Sequence, residues 1–137
     1  MKKSILTLSL FFTTLLAFNL SHAQVAVGEE NVAKISFDKS THDYGQIEQH
    51  ANGECVFVFT NTGTSPLKIT NAKGSCGCTV PEWPREPVAP GEIGVIDVKF
   101  NSKGKKGKQN KRVTLTTNMV PSQQVLIVKG QVNIKEE

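Results

Sequence analysis

Apolar side chains recur at every second position through the middle of this chain. Cys55, Phe57 and Phe59 alternate with Val56, Val58 and Thr60, and Gly94, Ile96, Val98 and Phe100 alternate with Val95, Asp97 and Lys99. Val113, Leu115 and Thr117 alternate with Thr114 and Thr116, while QVLIVKGQV (124–132) is rich in β-branched residues. A period of two puts one set of side chains on one face of an extended strand. Turn chemistry bounds each run: NTGTSP (61–66), APGE (89–92), SKGKKGK (102–108) and NMVPS (118–122). The pattern predicts about seven strands, near 35–38, 43–47, 54–60, 66–72, 93–100, 111–117 and 124–133. No window carries the 3.6-residue period of an amphipathic helix. Seven short strands in about 100 residues predict an all-β, immunoglobulin-like β-sandwich.

The first residues follow a different pattern. Lys2 and Lys3 precede the apolar stretch ILTLSLFFTTLLAFNL (5–20), which closes on Ser21-His22-Ala23. A basic start, an apolar middle and a small-residue end describe a secretory signal peptide over 1–23, cut between Ala23 and Gln24. The stretch is shorter and more interrupted than the roughly 20 strongly apolar residues that span a bilayer. No Cys follows the expected cut, so the pattern does not point to a lipid-anchored start. Cleavage removes two cations and leaves 114 residues, with 14 basic against 12 acidic side chains. That mild charge does not call for nucleic acid as a partner. The mature chain is expected to have a flexible lead-in at 24–34, one sandwich domain at 35–134 and a polar tail at 135–137, with no membrane span.

Export changes the meaning of the three cysteines, because an oxidising compartment permits disulfides. Three thiols cannot all pair within one chain. Cys76 and Cys78 stand one glycine apart. In an extended strand their Cα atoms would lie about 6.6–6.8 Å apart, at the far edge of what a disulfide tolerates. Gly77 could shorten that distance by taking a conformation closed to other residues. A bond over one residue is a poor fold staple and a plausible reactive or regulatory bond. Two thiolates on one face also suit Cu(I). A structural zinc site is disfavoured: zinc takes four ligands, His42 and His50 have no metal-type spacing, and His22 leaves with the leader. Cys55, interleaved with Phe57 and Phe59, reads as a small buried hydrophobe. Pairing of Cys76 or Cys78 with Cys55 stays open if the chain folds back at Gly74. A redox role would need something to stabilise a thiolate, and Lys73 is the nearby cation.

Two further stretches draw attention. Lys103 to Arg112 holds six cations and no acid; it reads as a solvated hairpin with Gly104 and Gly107 in its turn and lysines guarding a strand edge. The segment TVPEWPREPVAPGE (79–92) has Pro81, Pro84, Pro87 and Pro90 at every third residue, the spacing of a polyproline-type arm. Trp83 on that arm either anchors a partner or packs across the end of the sandwich.

The strings THDYGQI (41–47), FVFTNTGTSPLKI (57–69), SCGCTVPEWP (75–84), PVAPGEIGVIDVKFNSKGKKGKQNK (87–111) and VTLTTN (113–118) resemble the bacterial domain-of-unknown-function family 1573. That family is similar in turn to immunoglobulin-like domains of the Hydin and major-sperm-protein type. The resemblance implies a β-sandwich exported to the periplasm or surface of a Gram-negative bacterium. It implies no reaction.

The acids at 38, 43, 48, 54, 82, 86, 92 and 97 form no recognisable pair, and no phosphate loop or nucleophile elbow is present. The expected role is a non-catalytic binding or structural module of the cell envelope, without cofactor, meeting another envelope protein through a sheet edge or a loop end. The alternative is a thiol-based function, disulfide exchange or Cu(I) binding, at Cys76 and Cys78.

Overall fold

The alternating runs close into two four-stranded sheets in a computed structural model, which describes residues 30–134. The strands are β1 (Ile35–Phe37), β2 (Thr41–Glu48), β3 (Glu54–Asn61), β4 (Ile69–Gly74), β5 (Thr79–Glu82), β6 (Ile93–Phe100), β7 (Gly107–Thr117) and β8 (Gln123–Asn133). One sheet has the order β1-β3-β6-β5 and the other β2-β8-β7-β4. This is an all-β immunoglobulin-like sandwich. Among the described residues no helix is long and apolar enough to cross a membrane. The expected leader, its cut at Ala23–Gln24 and the tail at 135–137 lie outside the described residues.

The two-residue period decides which side chains face inward. Phe57, Phe59, Ile96, Val98 and Phe100 from one sheet meet Val113, Leu115, Leu126 and Val128 from the other, all buried. Fully burying each such side chain is worth about 1.5–3 kcal/mol. Gly94 is glycine for a reason of space: a Cβ there would come within 2.2 Å of the Phe59 ring, which fills its place in the core. Asn61, fully buried at the end of β3, donates from Nδ2 to the carbonyls of Ser65 (2.8 Å) and Val88 (2.9 Å) and accepts from Gly63 N (2.9 Å).

The structure amends the expected layout in four places. There are eight strands, because Thr79–Glu82, read as the start of a polyproline arm, pairs antiparallel with β6. An edge strand is bonded on one side only, so it tolerates Pro81 where a central strand would not. The lysine-rich segment is no edge guard: β7 begins at Gly107 and lies between β8 and β4, and the preceding loop joins the two sheets instead of closing a hairpin. β4 starts at Ile69, after an isolated bridge from Leu67 to Val88. Residues 30–34, within the expected lead-in, are tied down: Val32 O accepts from Thr64 N (2.8 Å), Lys34 O accepts from Thr62 N (3.0 Å), and Ala33 is buried.

Candidate functional site

Residues 75–78 form the turn that carries the chain from β4 in one sheet to β5 in the other. Hydrogen bonds hold the turn to its neighbours. Ser75 N donates to Arg112 O (2.8 Å), Arg112 N to Ser75 Oγ (3.1 Å), Thr79 N to Cys76 O (3.1 Å) and Asn101 N to Cys78 O (2.8 Å). The turn brings the Cα atoms of Cys76 and Cys78 to 5.2 Å, well inside disulfide range, and the two sulfurs are joined. Gly77 is not among the residues with positive φ, so the approach does not use the left-handed region that favours glycine; it is exposed, and a Cβ there would touch nothing within 4 Å. Cys55 is a buried free thiol, so the open alternative of a bridge to it is not taken.

Thr79 stands beneath both sulfurs. The residue is buried, and its Oγ1 lies 4.0 Å from Cys76 Sγ and 3.9 Å from Cys78 Sγ. Beside the turn is a hollow of about 540 Å³ lined by Gly77, Cys78, His50, Lys99, Asn101 and Lys103 among others. Sequence distance hides this meeting: His50 comes from the turn after β2 and the two lysines from β6 and beyond. Among the described residues, no three His, Cys, Asp or Glu side chains gather in a metal-holding group. The joined sulfurs offer no thiolate to a soft metal.

Cys55 faces the core beside Tyr44, whose hydroxyl donates to Gly53 O and whose ring stacks on Phe100 at 6.1 Å. Burial pushes the Cys55 thiol above its ordinary range, with Tyr44 pulling it partway back. A thiol held protonated is a poor nucleophile. Trp83, just past β5, is half buried against the core. Its indole N–H donates to Ile69 O, and the Arg85 guanidinium lies 3.8 Å over its ring.

The outward face of the β1-β3-β6-β5 sheet was not singled out by the sequence reading. Val56, Val80, Ile93 and Val95 stand on it with exposures of 43%, 54%, 68% and 39%. The register places Val58 opposite Val95 and Val80 opposite Lys99. It also places Glu82 directly opposite Asp97, two exposed carboxylates across adjacent strands. Lys99 on the same face pairs with Glu54 at 2.9 Å.

No curated protein matches the chain. Among solved structures, a protein of unknown function from Porphyromonas gingivalis W83 is similar at 13% identity and a TM-score of 0.65, over 77% of this chain and 50% of that one. This chain thus spans half the length of that relative. The PapD-like domain 7 of human CEP192 is similar at 12% identity and a TM-score of 0.62, over 77% of this chain and 89% of that one. The secreted serine protease VesC from Vibrio cholerae is similar at 11% identity and a TM-score of 0.56, over 72% of this chain and 23% of that one. At such identities the likeness is one of fold. The model of the family described as "Protein of unknown function (DUF1573)" matches residues 35–132, and the chain belongs to that family.

Proposed function

We propose that the domain is an exported binding module of the bacterial envelope, and that it meets a partner protein through the outer face of the β1-β3-β6-β5 sheet. The observation that carries this reading is the combination on one face of exposed apolar side chains with two facing carboxylates, Glu82 and Asp97, beside a Lys99 already paired with Glu54. Val56, Val80, Ile93 and Val95 leave much of their surface in water. Covering them recovers roughly 25 cal/mol for each Å² of apolar area removed from solvent. Glu82 and Asp97 stand opposite each other, and like charges so placed repel across a strand pair. A partner presenting apolar side chains beside a Lys or Arg would satisfy both features. The edges of this same sheet are less inviting: β1 has three residues and β5 has four, one of them proline.

The reading is tested in cells of the native host. A photocrosslinking amino acid is placed at position 95, at position 80, or at Lys129 on the other sheet as a control. One adduct of fixed mass from positions 80 and 95, absent from 129, supports the proposal. Equal labelling from all three, or none from 80 and 95, contradicts it.

A further inference from the structure

We infer that the Cys76–Cys78 turn is a thiol–disulfide exchange site that, in its joined form, oxidises a dithiol on another protein. This does not rest on the outer-face reading, because it concerns a different chemistry, although Val80, Glu54 and Lys99 border both surfaces.

Four observations converge on it. The bond closes over one intervening residue, so it removes little entropy from the unfolded chain and contributes little as a cross-link. The turn does not depend on the bond for its shape. Backbone contacts from Arg112, Asn101 and Thr79 hold the peptide on both sides of it, so the sulfurs stay neighbours when the bond opens. The Thr79 hydroxyl lies within reach of both sulfurs, and can donate to whichever becomes the thiolate. Access is open at Gly77, where an added Cβ would touch nothing within 4 Å, and the adjoining hollow carries Lys103 in addition to the Lys99–Glu54 pair, whose charges cancel. Cationic surroundings favour a thiolate over a thiol. Cys55 is buried and stays out of the exchange.

The exchange balances in two steps. A substrate thiolate attacks one Sγ, the Cys76–Cys78 bond breaks, and its electron pair leaves on the other Sγ, steadied by Thr79. The second substrate thiol loses its proton and attacks the first substrate sulfur in the mixed disulfide. The substrate leaves as a disulfide; Cys76 and Cys78 are left as two thiols bearing the two substrate protons.

The test uses the mature chain with Cys55→Ser, isolated oxidised, and a synthetic peptide carrying two cysteines as the substrate probe. The expected result is peptide oxidation about tenfold faster than by an equal concentration of oxidised glutathione, with a melting temperature nearly unchanged after reduction. Given the same peptide already in its disulfide form, Cys76→Ser or Cys78→Ser should form a mixed disulfide with it, the remaining thiolate attacking the peptide disulfide and one peptide sulfur leaving as a thiolate. Thr79→Val should raise the pH at which the reduced pair is half-alkylated, and Thr79→Ser should restore it. A merely structural threonine would not move that midpoint. Oxidation no faster than by glutathione, or unfolding on reduction, overturns the inference.

Discussion

The indole N–H of Trp83 donates to the carbonyl of Ile69 across 3.2 Å, and this bond ties the end of β5 in one sheet to the edge of β4 in the other. The same side chain gives its ring face to Arg85. Both the polar and the apolar part of Trp83 are therefore used within the domain. Trp83→Phe should cost about 1 kcal/mol, the net worth of the hydrogen bond. Trp83→Ala should cost roughly 2–3 kcal/mol, less than the full value for a buried aromatic because the ring is half exposed. Urea titration with an unchanged slope is the measurement; two silent variants would return Trp83 to the role of partner anchor.

Asn61 supports a second prediction. Its side chain joins the start of the 61–66 turn to the Leu67–Val88 bridge region through bonds to Ser65, Val88 and Gly63. Asn61→Ala leaves Ser65 O and Gly63 N, both part-buried, without partners, while Val88 O keeps its bond from Leu67 N at 2.9 Å. With about 1 kcal/mol or more for each orphaned group, the variant should fall by roughly 2 kcal/mol or more in chemical denaturation. Asn61→Asp should fall too, because a carboxylate cannot replace the two donations from Nδ2.

Alkali should weaken the fold through Cys55 and Tyr44. Burial is the chief reason that both folded-state pKa values lie above their ordinary 9.0 and 10.0. Both groups are neutral when protonated. The folded state therefore keeps protons that the unfolded state releases, and stability present below pH 9 is lost progressively above it. Melting temperature should decline between about pH 9 and pH 11. That decline should be shallower in a Cys55→Ala, Tyr44→Phe double variant, even though its stability at pH 7 is lower. Parallel declines would exclude this pair as the source.

The lysine-rich loop should tolerate loss of charge. Lys105 contributes its carbonyl, not its ammonium, to the bond with Gln49 Nε2 at 2.7 Å. Changing Lys105, Lys106 and Lys108 to Gln should move stability by no more than about 0.5 kcal/mol. Gly107→Ala should cost more than all three together, since Gly107 holds φ +74°. Thermal melts of the two proteins side by side decide the order.

The strands that were legible in the sequence are those with one face in the core. Phe57, Phe59, Ile96, Val98, Val113 and Leu115 show the period of two because a slip of one residue would turn each of them into water. β5 was not legible: its four residues include Pro81 and open a run of prolines, and the strand is settled by pairing with β6. The parallel pairing of β2 with β8 was equally hidden, because it joins residues far apart in the chain. At the candidate site, the Cys-Gly-Cys motif was visible in the sequence, but spacing left its pairing open against a bridge to Cys55 until the fold placed Cys55 in the core. The approach of His50 and Lys103 could not, since no local pattern links them to residue 78. The valine face was overlooked for a different reason: exposed Val56 and Val95 look in sequence like ordinary members of a β-branched strand.

The central claim, recognition through that face, is tested most directly by adding Val80→Lys to the protein carrying a photocrosslinker at position 95. The substitution removes apolar surface and sets a cation where the partner brings its own Lys or Arg, so it should abolish the adduct formed in the native envelope while leaving the melting temperature within a few degrees of the parent. An adduct of undiminished yield from a fully folded Val80→Lys protein would contradict the account.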